Sequence, residues 1–133
     1  MIHTLQVSRI EHGVRAIEDQ TLMSELVRAA ITLDICPTSK VKLRVVKDIA
    51  VHPIRPLHRR IRVTVGTDNP MILGCTLTSE LRQLVDWCGF SFQDLAQLQR
   101  NAFRVARISA PDREAMLAEI AAVMTRFANP GGN

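Results

Sequence analysis

The chain contains no tyrosine and a single tryptophan, Trp87, and aromatic residues make up only 4% of it. That scarcity excludes the interleaved stacking platforms by which single-strand nucleic-acid binders hold bases. Three cysteines, Cys36, Cys75 and Cys88, are odd in number, far apart and form no C-x-x-C pair. Neither a disulfide framework nor a thiolate zinc site is indicated, so they read as reduced, small apolar residues. No window approaches the roughly 18 apolar residues of a membrane span, and Met1 to Gly13 lacks the basic start and apolar run of a secretory signal. The expectation is a soluble, cytoplasmic protein with no membrane partner.

What is present is ordinary globular composition: 133 residues, 47% hydrophobic and 23% charged, enough for one domain with a core. The net charge of +4 is concentrated in Lys40, Lys42, Arg44 and Lys47 and then in Arg55, Arg59, Arg60 and Arg62. Without aromatic neighbours these are read as solvated helix faces and loops, and no nucleic-acid partner is expected.

Along the chain, strand and helix signals alternate. Val7 to Ile10 is a strand candidate, and Glu18 to Ala30 carries Met23, Leu26, Val27 and Ala30 at helical spacing. Ile31 to Cys36 is a second strand closed by Pro37; a longer connection leads to a short helix that Pro53 can start. Ile61 to Val65 is a third strand, Gly66 to Gly74 a loop, and the helix from Thr78 shows Leu81, Leu84, Val85 and Cys88 on one face before Gly89 ends it. Ser91 with Asp94 makes a capping-box signature ahead of Leu95, Leu98, Ala102 and Val105, and Pro111 opens a last helix with Leu117, Ile120, Ala121 and Met124. Residues 129–133 read as a disordered tail, leaving 1–128 as the structured segment.

Strands that alternate with helices at this spacing predict a parallel sheet with helices against it, because parallel neighbours need a crossover. The class is α/β. Polar residues fall directly beyond each strand: His12, then Thr38 with Ser39, then Asp68 with Asn69. In β/α barrels the functional groups come from the C-terminal ends of several strands, so these positions predict one shared rim. Thr38 and Ser39 either contact substrate or cap the turn after Pro37, and the second is the expectation. A whole barrel needs eight units in roughly 250 residues, and this chain has room for about three.

The segments HGVRAIED (His12 to Asp19), LDICPTS (Leu33 to Ser39), the pair His52–Pro53 and VGTDNP (Val65 to Pro70) resemble, in order and spacing, the last three strands of the metal-dependent adenosine and adenine deaminases. QRNAFRVA (Gln99 to Ala106) is similar to that family's terminal helices. The resemblance covers nearly all of this chain and about the C-terminal two-fifths of a family member. It implies the C-terminal part of a (β/α)8 TIM-type barrel, with about three parallel strands and flanking helices.

The activity implied is zinc-dependent hydrolytic deamination of adenosine or a related aminopurine, releasing ammonia. A divalent metal suits that work because it lowers the pKa of its water from 15.7 to about 7. By resemblance, His12 matches the catalytic histidine that deprotonates and orients the water, and Asp68 the metal-ligand aspartate. Asn69 stands where the family has a second aspartate bonded to the purine ring; an amide still bonds a ring nitrogen, but without charge. Glu11 and Arg60 replace family glycines. A carboxylate meeting His12 would raise its pKa and hinder a base that must be neutral.

The family's H-x-H pair, its third metal histidine and its proton-donating glutamate have no match here. Since a catalytic zinc site takes three protein ligands and a water, the chain alone is expected to be inactive. His3, His52 and His58 read as surface or capping residues. Two functions stay open: a segment of a deaminase that pairs with a missing N-terminal part, or a noncatalytic module that associates with itself or a homologue. Either way, some of Ile10, Leu33, Ile35, Val63 and Val65 are expected to face the missing barrel interior, between two unpaired sheet edges.

Overall fold

A computed structural model of the chain describes residues 7–128, so the expectations for His3 and for the tail at 129–133 lie outside the described residues. Three strands, β1 (Arg9–Glu11), β2 (Thr32–Ile35) and β3 (Arg62–Val65), form one sheet in that order, and both neighbouring pairs are parallel. The crossovers that parallel pairing demands are helical. The first holds a 3-10 turn (Val14–Glu18) and α1 (Gln20–Arg28). Asp19 separates them, its side chain accepting from the amides of Thr21 and Leu22 at 2.9 and 3.0 Å, which starts α1 later than the apolar spacing alone suggests.

The second crossover is more structured than the sequence implied. α2 (Pro37–Lys42) begins directly after β2 with Pro37 in its first turn, then a 3-10 turn (Ile49–Val51) leads into α3 (Ile54–His58), where Pro53 is the N-cap. Pro37 was expected to close a strand, yet its fixed φ suits the first turn of a helix equally well. The same holds in the loop after β3, where Asn69 and Pro70 start α4 (Pro70–Leu73). α5 (Leu77–Cys88) ends at Gly89, whose φ is +67°, in the left-handed region that glycine adopts without penalty. The Ser91 and Asp94 capping box opens α6 (Phe92–Val105), and α7 (Ala110–Ala128) follows.

The register decides which side chains share a face, because residues paired across a parallel sheet point the same way. Ile10, Leu33 and Val63 form one row, and Ile35 with Val65 another. Both rows lie in the apolar core with Met23 and Leu26 of α1, Ile54 and Leu57 of α3, Leu84 of α5 and Leu98 of α6. Burial of Leu33, Ile35 and Val63, each with no exposed surface, contributes about 1.5–3 kcal/mol apiece. Leu33, Ile35 and Val63 thus pack into this core rather than toward an open interior, while Ile10 and Val65 are only partly buried against it and Val65 also lines the cleft over the other face.

The opposite face is polar instead: the rows Arg9–Thr32–Arg62 and Glu11–Asp34–Thr64. On it Asp34 accepts from the Arg9 guanidinium through Nε at 2.7 Å and through Nη2, and from the Thr64 hydroxyl. This face of the sheet is thus held by charge-assisted hydrogen bonds rather than by apolar packing.

The two sheet edges also differ. Gly66 donates its amide to the Ile35 carbonyl, so the peptide groups of Val63 and Val65 point away from β2. Asn101 of α6, 4% exposed, donates Nδ2 to the Val63 carbonyl at 2.9 Å and accepts from Gln97 Nε2 at 2.8 Å. α6 thereby covers part of the β3 edge, where an unpaired edge had been expected.

Candidate active-site rim

β1 ends at Glu11, and the chain turns there through two successive left-handed residues, His12 at φ +68° and Gly13 at φ +62°. A histidine in that conformation is uncommon and costs energy, so the surrounding structure must impose it. The His12 amide donates to the Asp34 carbonyl at 2.6 Å, which continues the β1–β2 ladder one residue past the strand. Gly13 is required next: a Cβ there would stand 2.9 Å from Leu33 Cδ2, besides being strained by φ. The imidazole is consequently turned across the strand ends.

Asp68 lies three residues past the end of β3, also left-handed, at φ +58°. Its Oδ2 lies 4.0 Å from His12 Nε2, with about a third of each side chain exposed. Ser39 Oγ, fully buried, donates to the same Oδ2 at 2.7 Å. His12, Ser39 and Asp68 therefore meet on one rim, each contributed by the end of a different strand. Next to them Glu11, Asp34, Cys36, Thr64 and Asp68 line part of a cleft of about 330 Å³ that opens over the polar sheet face. Burial pushes the Cys36 thiol up to about 11, helped by the charge of Asp68, so it stays a protonated, unreactive group.

Other expected residues fall differently. Asn69 is exposed and its Oδ1 accepts from the Ile72 amide at 3.2 Å, capping α4. Thr38 and Ser39 do not cap the turn after Pro37: α2 has no side-chain cap, Ser39 goes to Asp68, and Thr38 turns to α5. Glu11 sits in a row on the polar sheet face with Asp34, and the carboxylate within reach of His12 is that of Asp68. Arg60 donates to Gln20 Oε1 at 2.7 Å, tying β3's entry to α1.

His52 and His58 were read as surface or capping residues: His52 does cap a backbone amide, but from a buried position, and the His58 side chain is 9% exposed. His52 is 3% exposed and its Nδ1 accepts from the Ile54 amide at 3.0 Å, with its pKa lowered to about 4 by burial and then by Lys40. The His58 ring packs 5.3 Å from that of Phe90 and lies 3.6 Å from Asp94 Oδ1, its pKa lowered by burial first. Neither reaches the rim.

One residue at the rim escaped the reading altogether. Glu80 of α5 is completely buried; its Oε2 accepts from the Thr38 amide at 3.2 Å and from Gln83 Nε2, while Gln83 also donates to Thr38 Oγ1 at 3.0 Å. Its place in the pattern was a usable signal. Glu80, Leu84 and Cys88 are spaced by four and form the buried stripe of the helix.

A zinc site can be tested against these donors. Asp68 supplies one carboxylate, and Nδ1 of His12 is buried without a hydrogen-bond partner. Among the described residues, however, no group of three or more His, Cys, Asp or Glu side chains stands close enough to hold a metal ion. Three protein ligands are needed, so the residues present do not by themselves fit a catalytic zinc.

Parallel strands with helices behind them and polar groups at the C-terminal strand ends define part of a TIM-type barrel. A sequence model described as adenosine deaminase matches residues 1–123, and the chain belongs to that family. It is 39% identical over 114 residues to an adenine deaminase of Sinorhizobium fredii, covering 85% of this chain and 35% of the relative. It is 40% identical over 118 residues to an adenosine deaminase of Shewanella denitrificans, covering 88% and 36%. The crystal structure of adenine deaminase from Arthrobacter aurescens superposes with a TM-score of 0.88 at 32% identity, over 93% of this chain and 38% of that one. An amidohydrolase from Burkholderia ambifaria with bound zinc shares the fold, with a TM-score of 0.83 at 22% identity over 97% and 36% of the two chains. The chain thus spans about a third of the length of the curated relatives it matches.

Proposed function

We propose that this chain supplies the C-terminal part of a purine deaminase active site, one that becomes complete only with the strands and ligands of the remaining barrel. The observation that supports this reading is the 4.0 Å approach of His12 Nε2 to Asp68 Oδ2 across the ends of β1 and β3, in a chain of this family. The reaction is hydrolytic: water adds at the purine carbon bearing the exocyclic amine, the C–N bond breaks, and ammonia leaves. His12 accepts and holds a proton at Nε2 and orients the attacking water. Asp68 is the carboxylate offered to the metal, and its bond from Ser39 leaves Oδ1 as the oxygen open to that role. Asn69 offers its amide to the purine ring. A bound divalent ion would supply activated water at neutral pH, but the further ligands must come from outside the described residues.

The partner in this reading is the rest of the barrel, as an upstream segment or a separate polypeptide; the substrate is adenine or adenosine. Mixing the chain with a polypeptide carrying the first five strands of a bacterial adenine deaminase, with zinc, tests it. Hypoxanthine or inosine should form, and His12→Ala should abolish it. A properly assembled complex that leaves both purines unchanged would contradict the reading.

A further inference from the structure

Helical spacing alone would put an apolar residue at position 80, in line with Leu84 and Cys88, and a carboxylate buried there is costly unless it is well bonded. Its bonds run toward the rim. Oε2 accepts from the Thr38 amide, in the first turn after β2, and from Gln83, which also holds the Thr38 hydroxyl. The next residue along, Ser39, is the one that donates to Asp68 Oδ2. The Glu80 carboxylate on α5 thus holds the turn after β2, and its Oε1 is buried with no partner among the described residues.

We propose that Glu80 is a positioning residue for Asp68: it fixes the backbone at Thr38, and through it the Ser39 hydroxyl that orients the Asp68 carboxylate. The assignment rests on the reading of Asp68 as a site residue. Glu80 itself does not face the cleft; it acts through Thr38 and Ser39, and packing alone gives no reason for a charge at this position.

Nuclear magnetic resonance on the full chain tests this without metal, substrate or partner. Two signals matter, the side-chain carboxyl 13C resonance of Asp68 at fixed pH and the exchange protection of the Thr38 amide. Ser39→Ala should displace the Asp68 resonance by removing its donor. Glu80→Ala should displace it in the same direction and to a similar extent, the double variant should add little, and Thr38 should lose protection about tenfold beyond any loss at Leu33 and Ile35. Glu80→Gln keeps the shape and an acceptor oxygen, so it should move the Asp68 resonance only part of the way; it decides the question if Glu80→Ala fails to fold. An Asp68 resonance that stays in place in Glu80→Gln, with amides across the sheet losing protection equally, would make Glu80 a structural residue only and overturn the proposal. An inactive assembled enzyme would sink the deaminase reading while leaving this result untouched.

Discussion

His12, the first residue past β1, and Asp68, the third past β3, are both left-handed and bring Nε2 and Oδ2 to 4.0 Å of one another. The backbone geometry brings them together: a β-conformation at either would carry its side chain away along the strand direction. Gly13 makes the first turn possible. Gly13→Ala should therefore destabilise the chain by about 1–2 kcal/mol, from φ strain and the close approach to Leu33. Urea unfolding checks this, and an unchanged midpoint would mean that the turn relaxes freely.

Asn101 should behave as an edge-capping residue. Asn101→Ala leaves the Val63 carbonyl without its donor and Gln97 without its acceptor, with an expected cost of about 1–3 kcal/mol. Thermal melting compared with the exposed control Gln93→Ala separates a specific loss from a general weakening of α6.

Acid should weaken the fold in a window set by His52 and His58. His52, with its folded pKa near 4, takes up a proton in the unfolded chain near 6.5 and not in the folded one, so stability is full above about 6.5 and falls as the pH drops toward 4. The contribution at stake is on the order of 2–3 kcal/mol, and His58, also lowered, acts in the same direction. At lower pH Asp94 adds to the loss. Burial would raise its pKa, but hydrogen bonds from Arg55 and Ser91 hold it near 2, so its stabilisation fades as pH falls from about 4 toward 2. His52→Asn, which keeps an acceptor for the Ile54 amide, should flatten the decline between pH 6.5 and 4. An equally steep decline in that variant would place the titrating group elsewhere.

Exposed apolar surface lies between helices rather than on the sheet. A cavity of about 300 Å³ is lined by Phe92, Leu95, Phe103, Ile120 and Phe127 of α6 and α7 among others, and the rings of Phe92 and Phe127 stack 5.2 Å apart. A hydrophobic dye should bind there, and Ile120→Asp should reduce its fluorescence while Asp34→Ala does not. Dye binding that responds to Asp34→Ala instead would place the apolar surface on the sheet. Any self-association, measured by sedimentation, should weaken with the same Ile120 substitution.

Much of this was readable from the residues. The β-branched runs, Gly89 and the Ser91–Asp94 box act locally, and their elements formed where the pattern put them, within a residue or two at the strands. α2 and α4 were missed because a proline after a strand reads as a stop as readily as a helix start, and only the tertiary position of Ser39 and Asp68 tells the two apart. The sheet faces were missed for a related reason. Apolar strand residues such as Leu33 and Ile35 were expected to face the barrel interior, whereas the alternation Thr32–Leu33–Asp34–Ile35 puts them in the core and sets Asp34 with Arg9 and Thr64 on a polar wall. His12 and Asp68 emerged from their position past the strands and from the family motifs. Glu80 was signalled by its spacing with Leu84 and Cys88, but its bonds to Thr38 and Gln83, like the packing of His52 and His58, depend on long-range contacts that spacing does not encode.

The most direct test of an incomplete site is the zinc that survives dialysis. With Asp68 as the carboxylate and no third donor among the described residues, the isolated chain should retain almost none, whereas its complex with the first five strands of a bacterial adenine deaminase should hold about one ion, lost again in Asp68→Ala. About one tightly held zinc per isolated chain, with deamination of adenine or adenosine abolished by His12→Ala, would contradict the account.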